Sequence, residues 1–164
     1  MNRIKQLIWA ITSSFKKINN EVLDKYLNEK ELEEFNKLSN SEKHHCIRVC
    51  NNSIDEFRGN KCIQENKLAK ITLLHDVGKN KKSLNLIDKS LIVILDKITK
   101  GKLKKYEKNK KVYIYYNHPK ESVKILNRIG KYDLDFIEAV EKHHCKGIYD
   151  NIYLQILKKY DDRN

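Results

Sequence analysis

Residues 73–79 read Leu-Leu-His-Asp-Val-Gly-Lys, and this stretch decides how the rest of the chain is interpreted. Its apolar residues continue a pattern that predicts a helix over residues 65–77, with Gly78 as the C-terminal stop. The end of that helix carries the adjacent imidazole and carboxylate of His75 and Asp76. A neutral imidazole beside a carboxylate oxygen suits a divalent ion such as Mn, Fe or Zn. Because a His-Asp pair alone is weak evidence, the interpretation depends on the other histidines and acids.

Those residues occur in an order that resembles the HD-domain metal-dependent phosphohydrolase superfamily, over about residues 41–162. The family places a first His before its His-Asp pair, often two further His after it, and an Asp near the end. The first His matches residues 45–49, His-Cys-Ile-Arg-Val. The later ones match Asn-His-Pro-Lys-Glu-Ser at 117–122 and Ala-Val-Glu-Lys-His-His at 139–144, and the last Asp ends residues 154–161. The resemblance therefore implies these metal ligands: His45, His75, Asp76, His118, His143 and Asp161.

The resemblance also implies how these ligands divide between two ions. Asp76 would bridge them, the second ion would be held with His118 and His143, and the first with the remaining ligands. We expect one or two divalent ions, of Mn, Fe, Mg, Co or Zn. Such ions lower the pKa of a water, orient it in line with phosphorus and balance charge on the phosphoryl oxygens.

Three residues are candidates for catalysis: Asp76, Lys79 and His144. We expect Lys79 to bind substrate through a phosphoryl oxygen, with a structural ion pair as the alternative. His144 is expected to donate a proton to the leaving group or to orient its neighbour.

Composition predicts the fold class. One Pro and five Gly in 164 residues, with many Leu, Ile, Lys and Glu, are typical of helices joined by short connections. We therefore expect an all-α, single-domain helical bundle of about six to eight helices, and the resemblance makes it a bundle of the HD-domain type. A single HD domain is expected over residues 1–164, with N-terminal helices in 1–38 and the HD core in 39–162.

Periodicity and capping signals predict the individual helices. Ser39 and Glu42 form a capping box for the helix that carries His45. Pro119 is expected to be the first residue of a new helix, with His118 as its N-cap, after a stretch of β character. Helices are also expected over residues 1–17, 21–37, 87–98, 133–145 and 151–160. The lysine-rich residues 101–111 are expected to form a mobile loop, or a lid over a phosphate site.

The formal charge is +12, from 34 basic and 22 acidic side chains. Such a field favours a phosphorylated small molecule, and we expect a nucleotide. A nucleic-acid partner is possible but not favoured, because the lysines are spread along the chain rather than concentrated in one motif.

Cysteine usage and hydropathy indicate the compartment. No two cysteines form a CxxC pair, so a reducing cytoplasm is expected; the alternative is a zinc site of Cys46, Cys50 and Cys145. The apolar run at 7–11 is too short for a signal peptide, and no stretch reaches about 18 apolar residues. We expect no stable membrane association. The N-terminal stripe is expected to pack in the core, with a membrane-surface helix as the alternative: Ile4, Leu7, Ile8, Ile11 and Phe15.

The activity expected is hydrolysis of a nucleotide or related phosphoester by a metal-activated water. Residues 143–150 read His-His-Cys-Lys-Gly-Ile-Tyr-Asp and lack the Gly-Tyr-Pro signature of the HD-GYP phosphodiesterases. This difference counts against hydrolysis of cyclic di-GMP. That segment looks more like small stand-alone HD hydrolases, including those that cleave diadenosine tetraphosphate. The alternatives are a non-catalytic HD module with structural metal, nucleic-acid binding through the lysine-rich loop, and a di-iron oxygenase.

Overall fold

The computed structural model describes residues 18, 20–81, 86–147 and 149–163, and all regular structure within them is helical. This confirms the predicted all-α class. The helix predicted over residues 1–17 lies outside the described residues, and no helix among the described residues is long and apolar enough to cross a membrane. The helices, in our numbering, are α1 Glu21–Tyr26, α2 Glu29–Asn36, α3 Asn40–Phe57, α4 Glu65–Leu74, the 3₁₀ turn Val77–Lys81, α5 Leu86–Ile98, the 3₁₀ turn Lys102–Tyr106, α6 Lys110–Ile129, α7 Leu134–Lys142 and α8 Ile152–Asp161.

The single helix predicted over residues 21–37 is wrong, because the chain breaks between α1 and α2. Leu27 has extended backbone, with φ −98° and ψ 138°, and Asn28 is the N-cap of α2. The Asn28 side chain accepts a hydrogen bond from the Glu31 amide, and the Glu31 carboxylate accepts one from the Asn28 amide. This capping box satisfies two backbone donors at a helix start, which makes the break stable.

Helix α3 follows the prediction. Ser39 is its N-cap and Glu42 closes the capping box. Its apolar stripe is buried at Ile47, Cys50 and Ile54. The helix thereby presents its inner face to the main core, which α1, α2, α4, α6, α7 and α8 complete. The largest fully buried apolar side chains of this core are Phe35, Leu23, Leu68, Ile71, Leu73, Leu74, Leu126, Leu154 and Leu157.

Helix α4 ends at Leu74 rather than at residue 77, and Gly78 is not its stop. Gly78 lies inside the following 3₁₀ turn, directly against α6. A Cβ added there would lie 2.2 Å from the His118 carbonyl oxygen and 2.5 Å from the Ser122 amide nitrogen. Glycine is therefore required because two backbones approach each other closely.

Helix α6 runs through Pro119, so the prediction of a new helix start with His118 as N-cap is wrong. The stretch of β character before it is also helical, and Asn109 caps the helix by accepting a hydrogen bond from the Lys111 amide. The helix ends at Ile129, before Gly130. The reason that an internal proline is accommodated lies in the candidate site.

The apolar residues after the 3₁₀ turn form α5, which confirms the helix predicted over residues 87–98. The loop predicted over residues 101–111 is wrong, because the segment contains the 3₁₀ turn Lys102–Tyr106 and the start of α6. One apolar residue accounts for the difference. Leu103 is buried against Ile92 and Val112 in a small cluster separate from the main core.

Candidate metal centre

The side chains that the sequence singled out come together between five helices. His45 lies on α3, His75 and Asp76 follow α4, and His118 lies on α6. His143 follows α7, and Asp161 is the last residue of α8. His144 lies beside them. We call these seven residues the histidine cluster: His45, His75, Asp76, His118, His143, His144 and Asp161.

One part of the cluster joins α3, α4 and α8. The Nε2 atom of His45 lies 2.8 Å from Oδ1 of Asp161. The Nε2 atom of His75 lies 3.6 Å from the same oxygen and 3.4 Å from Oδ2 of Asp76. A nitrogen of each of His45 and His75 and an oxygen of Asp76 lie close enough together to hold one ion.

The other part faces α6 and α7. Oδ1 of Asp76 lies 3.3 Å from Nε2 of His118 and 3.9 Å from Nε2 of His143. Nε2 of His144 lies 3.1 Å from Nε2 of His118, so the three imidazoles form a second group that could hold an ion. Asp76 therefore presents one carboxylate oxygen to each group. His144 belongs to this nitrogen group, which the sequence did not indicate.

The three buried histidines are oriented in the same way. Nδ1 of His75 lies 2.9 Å from the Thr72 carbonyl oxygen, and Nδ1 of His143 lies 2.7 Å from that of Val140. Nδ1 of His118 contacts the carbonyl three residues earlier too, at 3.0 Å. A carbonyl oxygen only accepts, so each Nδ1 must donate its hydrogen. In the neutral ring, Nε2 then carries the lone pair that a metal ion requires.

These carbonyls are available because the helices leave them without a backbone donor. His75 and His143 are the C-caps of α4 and α7, and the last carbonyls of a helix have no intrahelical partner. In the middle of α6 the same effect comes from Pro119, which has no N–H to donate to the Tyr115 carbonyl. Nδ1 of His118 donates to that carbonyl instead, at 3.0 Å, and shares its hydrogen with the Ile114 carbonyl at 3.1 Å. The internal proline thus frees one of the two carbonyls that orient a candidate ligand.

Three polar atoms of the cluster are buried without a hydrogen-bond partner: Nε2 of His75, Oδ1 of Asp76 and Nε2 of His143. Leaving a buried donor or acceptor unsatisfied costs about 1–3 kcal/mol. These atoms are imidazole nitrogens and a carboxylate oxygen, and all three face the interior of the cluster. The donor set fits a divalent cation.

The protonation states of His118, His143 and Asp76 suit the same ligand. Burial lowers the pKa of His118 to about 3, and the Lys79 ammonium adds to this effect. Burial also holds the pKa of His143 well below its usual range, and His144 adds to that effect. Burial alone would raise the pKa of Asp76, but Lys79 and His75 outweigh it and keep that pKa well below its usual range. Two imidazoles are therefore neutral and the carboxylate is ionised near pH 7.

Lys79 forms the ion pair that the sequence left open as an alternative. Its Nζ lies 2.5 Å from Oδ2 of Asp76. Burial opposes the charge of the ammonium, but Asp76 and Glu42 outweigh it and raise the pKa of Lys79. His75 behaves similarly, since Asp76 and Asp161 raise its pKa against the effect of burial.

Ser122 is a supporting residue that sequence reasoning missed. Its hydroxyl donates to the His75 carbonyl oxygen at 2.7 Å and accepts from the Gly78 amide at 2.8 Å. This one side chain therefore fixes the turn that carries His75 and Asp76 against α6. No local pattern marks the role, although Ser122 ends the matched segment that contains His118.

The cysteines do not take part. Cys46 and Cys50 are buried, whereas Cys145 is exposed. Among the described residues, the groups that could hold a metal ion contain only His and Asp. The alternative zinc site of three cysteines has no support from this arrangement.

Comparison with protein-family models shows to which family the chain belongs. The family model described as HD domain matches residues 43–163. The chain belongs to the HD-domain family. No curated protein and no solved structure matched the chain. The HD domain covers the whole histidine cluster, and membership suggests a function of the metal-dependent phosphohydrolase type.

Proposed function

We propose that this HD-domain protein is a metal-dependent phosphohydrolase that cleaves a nucleotide or a related phosphoester. The observation that carries the proposal is the set of buried, unpartnered atoms on His75, Asp76 and His143. They lie inside one cluster whose rings are held by their Nδ1 atoms, so a cation is the partner that their chemistry fits.

Two ligand groups would hold the metal. The first is His45, His75, Asp76 and Asp161; the second is His118, His143 and His144, with Asp76 shared. Divalent ions held by these residues would supply the means to acidify and orient a water and to balance charge on phosphoryl oxygens. The two Asp76 oxygens, each facing a different group, support the shared role of that carboxylate.

The protein's own residues prepare this centre before substrate binds. Lys79 keeps Asp76 ionised, and its ammonium is placed to contact a phosphoryl oxygen beside the same carboxylate. His144 is about half exposed, at 49% of its side chain, and burial lowers its pKa. Nε2 of His144 lies 3.1 Å from Nε2 of His118, so we assign His144 to the second ligand group rather than to general acid catalysis.

The charge of the molecule supports a phosphorylated substrate. A formal charge of +12 attracts polyphosphates and other anions over several ångströms in dilute salt. A nucleotide carries the phosphates that such a field and a dinuclear centre would bind.

The experiment combines metal analysis with hydrolysis of a panel of nucleotides and dinucleotides. We expect the purified protein to hold metal and to hydrolyse at least one member of the panel. The His75→Ala, Asp76→Ala double variant should lose the metal and at least about a thousandfold in rate.

Asp162→Asn is the matched control, because Asp162 is exposed and directly follows a proposed ligand. It should keep both properties. Equal metal content in all three proteins would overturn the proposed site. Metal that depends on His75 and Asp76, without turnover of any substrate, would favour the non-catalytic module.

A further inference from the structure

Helix α5 exposes an apolar face. Leu91, Ile94, Leu95 and Ile98 are spaced so that they share one side of the helix, and their exposed fractions are 53%, 54%, 37% and 70%. Ile92, on an adjoining side of the helix, anchors it, since Ile92 is only 5% exposed and packs on Leu103 and Val112. Neighbouring large aliphatic side chains exposed on one helix face are typical of an interaction surface.

The acidic residues of α5 are engaged with α6. Asp88 accepts a hydrogen bond from Lys111 at 2.6 Å, and Asp96 accepts one from the Tyr116 hydroxyl. Both carboxylates therefore have partners on the helix that α5 packs against. The exposed face of α5 is left with its aliphatic side chains.

Lysines follow this face directly. Residues 97–110 include a single acid, Glu107, and the turn that carries several of the lysines is held at the end of α5 by buried Leu103. The exposed lysines of this segment are Lys97, Lys100, Lys102, Lys104, Lys105, Lys108 and Lys110. We call the apolar residues of α5 and these lysines together the lysine-flanked face.

We propose that the lysine-flanked face docks on the anionic surface of a lipid bilayer. Such a surface accepts aliphatic side chains at its acyl boundary and attracts lysines to its headgroups, so it satisfies both features together. A peripheral site needs no helix that spans the bilayer. The sequence-based expectation of no stable membrane association rested on the lack of an apolar stretch long enough to form such a helix. The proposal is independent of the proposed hydrolase function.

The positive charge and the apolar side chains of this face together favour a membrane over a second copy of the chain, the N-terminal residues or a nucleic acid. Two copies meeting through this face would bring one group of lysines against another. The N-terminal residues 1–17 contain Arg3, Lys5, Lys16 and Lys17 and no acid, so they offer no opposite charge to these lysines. A nucleic acid would bind the lysines but would make no favourable contact with the exposed Leu and Ile side chains.

The test is cosedimentation of the full chain with vesicles. The wild type should bind mixed phosphatidylcholine–phosphatidylglycerol vesicles, more weakly as salt rises, and should bind pure phosphatidylcholine vesicles poorly. The Ile94→Glu, Ile98→Glu variant should lose at least about tenfold in vesicle affinity. Its melting temperature should stay close to that of the wild type, because both side chains are already exposed.

Two matched controls separate this face from general surface effects. Leu134→Glu with Ile152→Glu alters exposed apolar residues at the starts of two other helices and should leave binding unchanged. Lys104→Glu with Lys105→Glu should weaken binding about tenfold, whereas Lys30→Glu with Lys61→Glu, also exposed, should weaken it less.

Several results would overturn the proposal. They are no binding of the wild type to anionic vesicles, binding that survives the α5 variant, and RNA binding in place of vesicle binding. An oligomer that the α5 variant disperses, without vesicle binding, would show that a second copy covers the face.

Discussion

The histidine cluster and the lysine-flanked face depart from ordinary protein packing in opposite directions. The cluster buries ionisable side chains, with His75 at 0% and Asp76 at 1% exposure, whereas the lysine-flanked face exposes Leu and Ile. The backbones differ as well. A Cβ at Gly78 would meet another backbone at 2.2 Å, and a Cβ at Gly101 would meet nothing within 4 Å.

The contrast shows how each region relates to a partner. Buried polar atoms without hydrogen bonds and exposed apolar side chains both cost free energy in the isolated chain. In the cluster, tight packing fixes the ligand atoms beforehand, as a cation requires. In the lysine-flanked face, only the small apolar cluster of Ile92, Leu103 and Val112 anchors the helix. The membrane surface that we propose as its partner does not require closely fixed side chains.

Substituting Gly78 should give the largest effect and tests whether the cluster is packed as closely as described. Gly78→Ala forces apart the turn and α6, so we expect a loss of at least about 4 kcal/mol in unfolding free energy. Gly101→Ala meets no atom and should cost only about 1–2 kcal/mol, for its φ of +83°. Urea denaturation of both variants measures the difference. Similar losses at the two positions would contradict the close approach.

Two hydroxyl groups with the same bonding pattern sharpen the comparison. Ser122 joins the His75 carbonyl to the Gly78 amide, and Thr99 joins the Asp96 carbonyl to the Leu103 amide. Ser122→Ala leaves two buried backbone groups unpaired, so it should cost about 2–3 kcal/mol.

Thr99→Val should cost less than about 1 kcal/mol, because Thr99 is only partly buried and water can replace its hydroxyl. Thermal or urea unfolding of the two variants gives the ranking. The account of Ser122 fails if Thr99→Val proves the more damaging change.

Two neighbouring acids at the end of α8 test the ligand assignment. Asp161 is 11% exposed and accepts a hydrogen bond from His45, whereas Asp162 is exposed. Asp161→Asn should weaken metal binding at least about tenfold, because an amide is a poorer metal ligand than a carboxylate. Asp162→Asn should leave the affinity unchanged. Titration calorimetry with Zn²⁺ or Mn²⁺ compares them, and equal affinities would remove Asp161 from the site.

The smallest effect is expected at Pro119. In Pro119→Ala a new amide competes with His118 for the Tyr115 carbonyl. We expect the unfolding free energy to rise by about 1 kcal/mol, less than the ~3 kcal/mol for a helix interior because the histidine bond is weakened. Metal affinity of the second ligand group should fall about threefold. A gain of stability with unchanged metal binding would show that the proline does not orient His118.

Local sequence signals were sufficient for some elements and insufficient for others. The capping box of Ser39 and Glu42 was visible because its four residues are adjacent in sequence. The capping box of Asn28 and Glu31 follows the same rule but lies within a continuous helical pattern, which predicts one helix and hides the break. The lysine-rich segment predicts a loop by its composition, because burial of the single residue Leu103 depends on neighbours that are distant in sequence.

The site was predictable only as a set of residues. The resemblance to HD domains proposed which histidines and acids belong together, and the structure brings them together. Local rules placed a helix start at Pro119, because they do not include a histidine side chain that uses the freed carbonyl. The Ser122–Gly78 hydrogen bond joins residues 44 positions apart, so no local sequence pattern predicts it.

The central claim is that the buried imidazoles and Asp76 hold a cation. An anomalous difference map from a zinc-soaked crystal tests it most directly. We predict a peak about 2.0–2.2 Å from Nε2 of His75 and from an oxygen of Asp76, with a second peak on the side of His118 and His143 if both groups are filled. A map with zinc only on the molecular surface, and none inside the histidine cluster, would contradict the account.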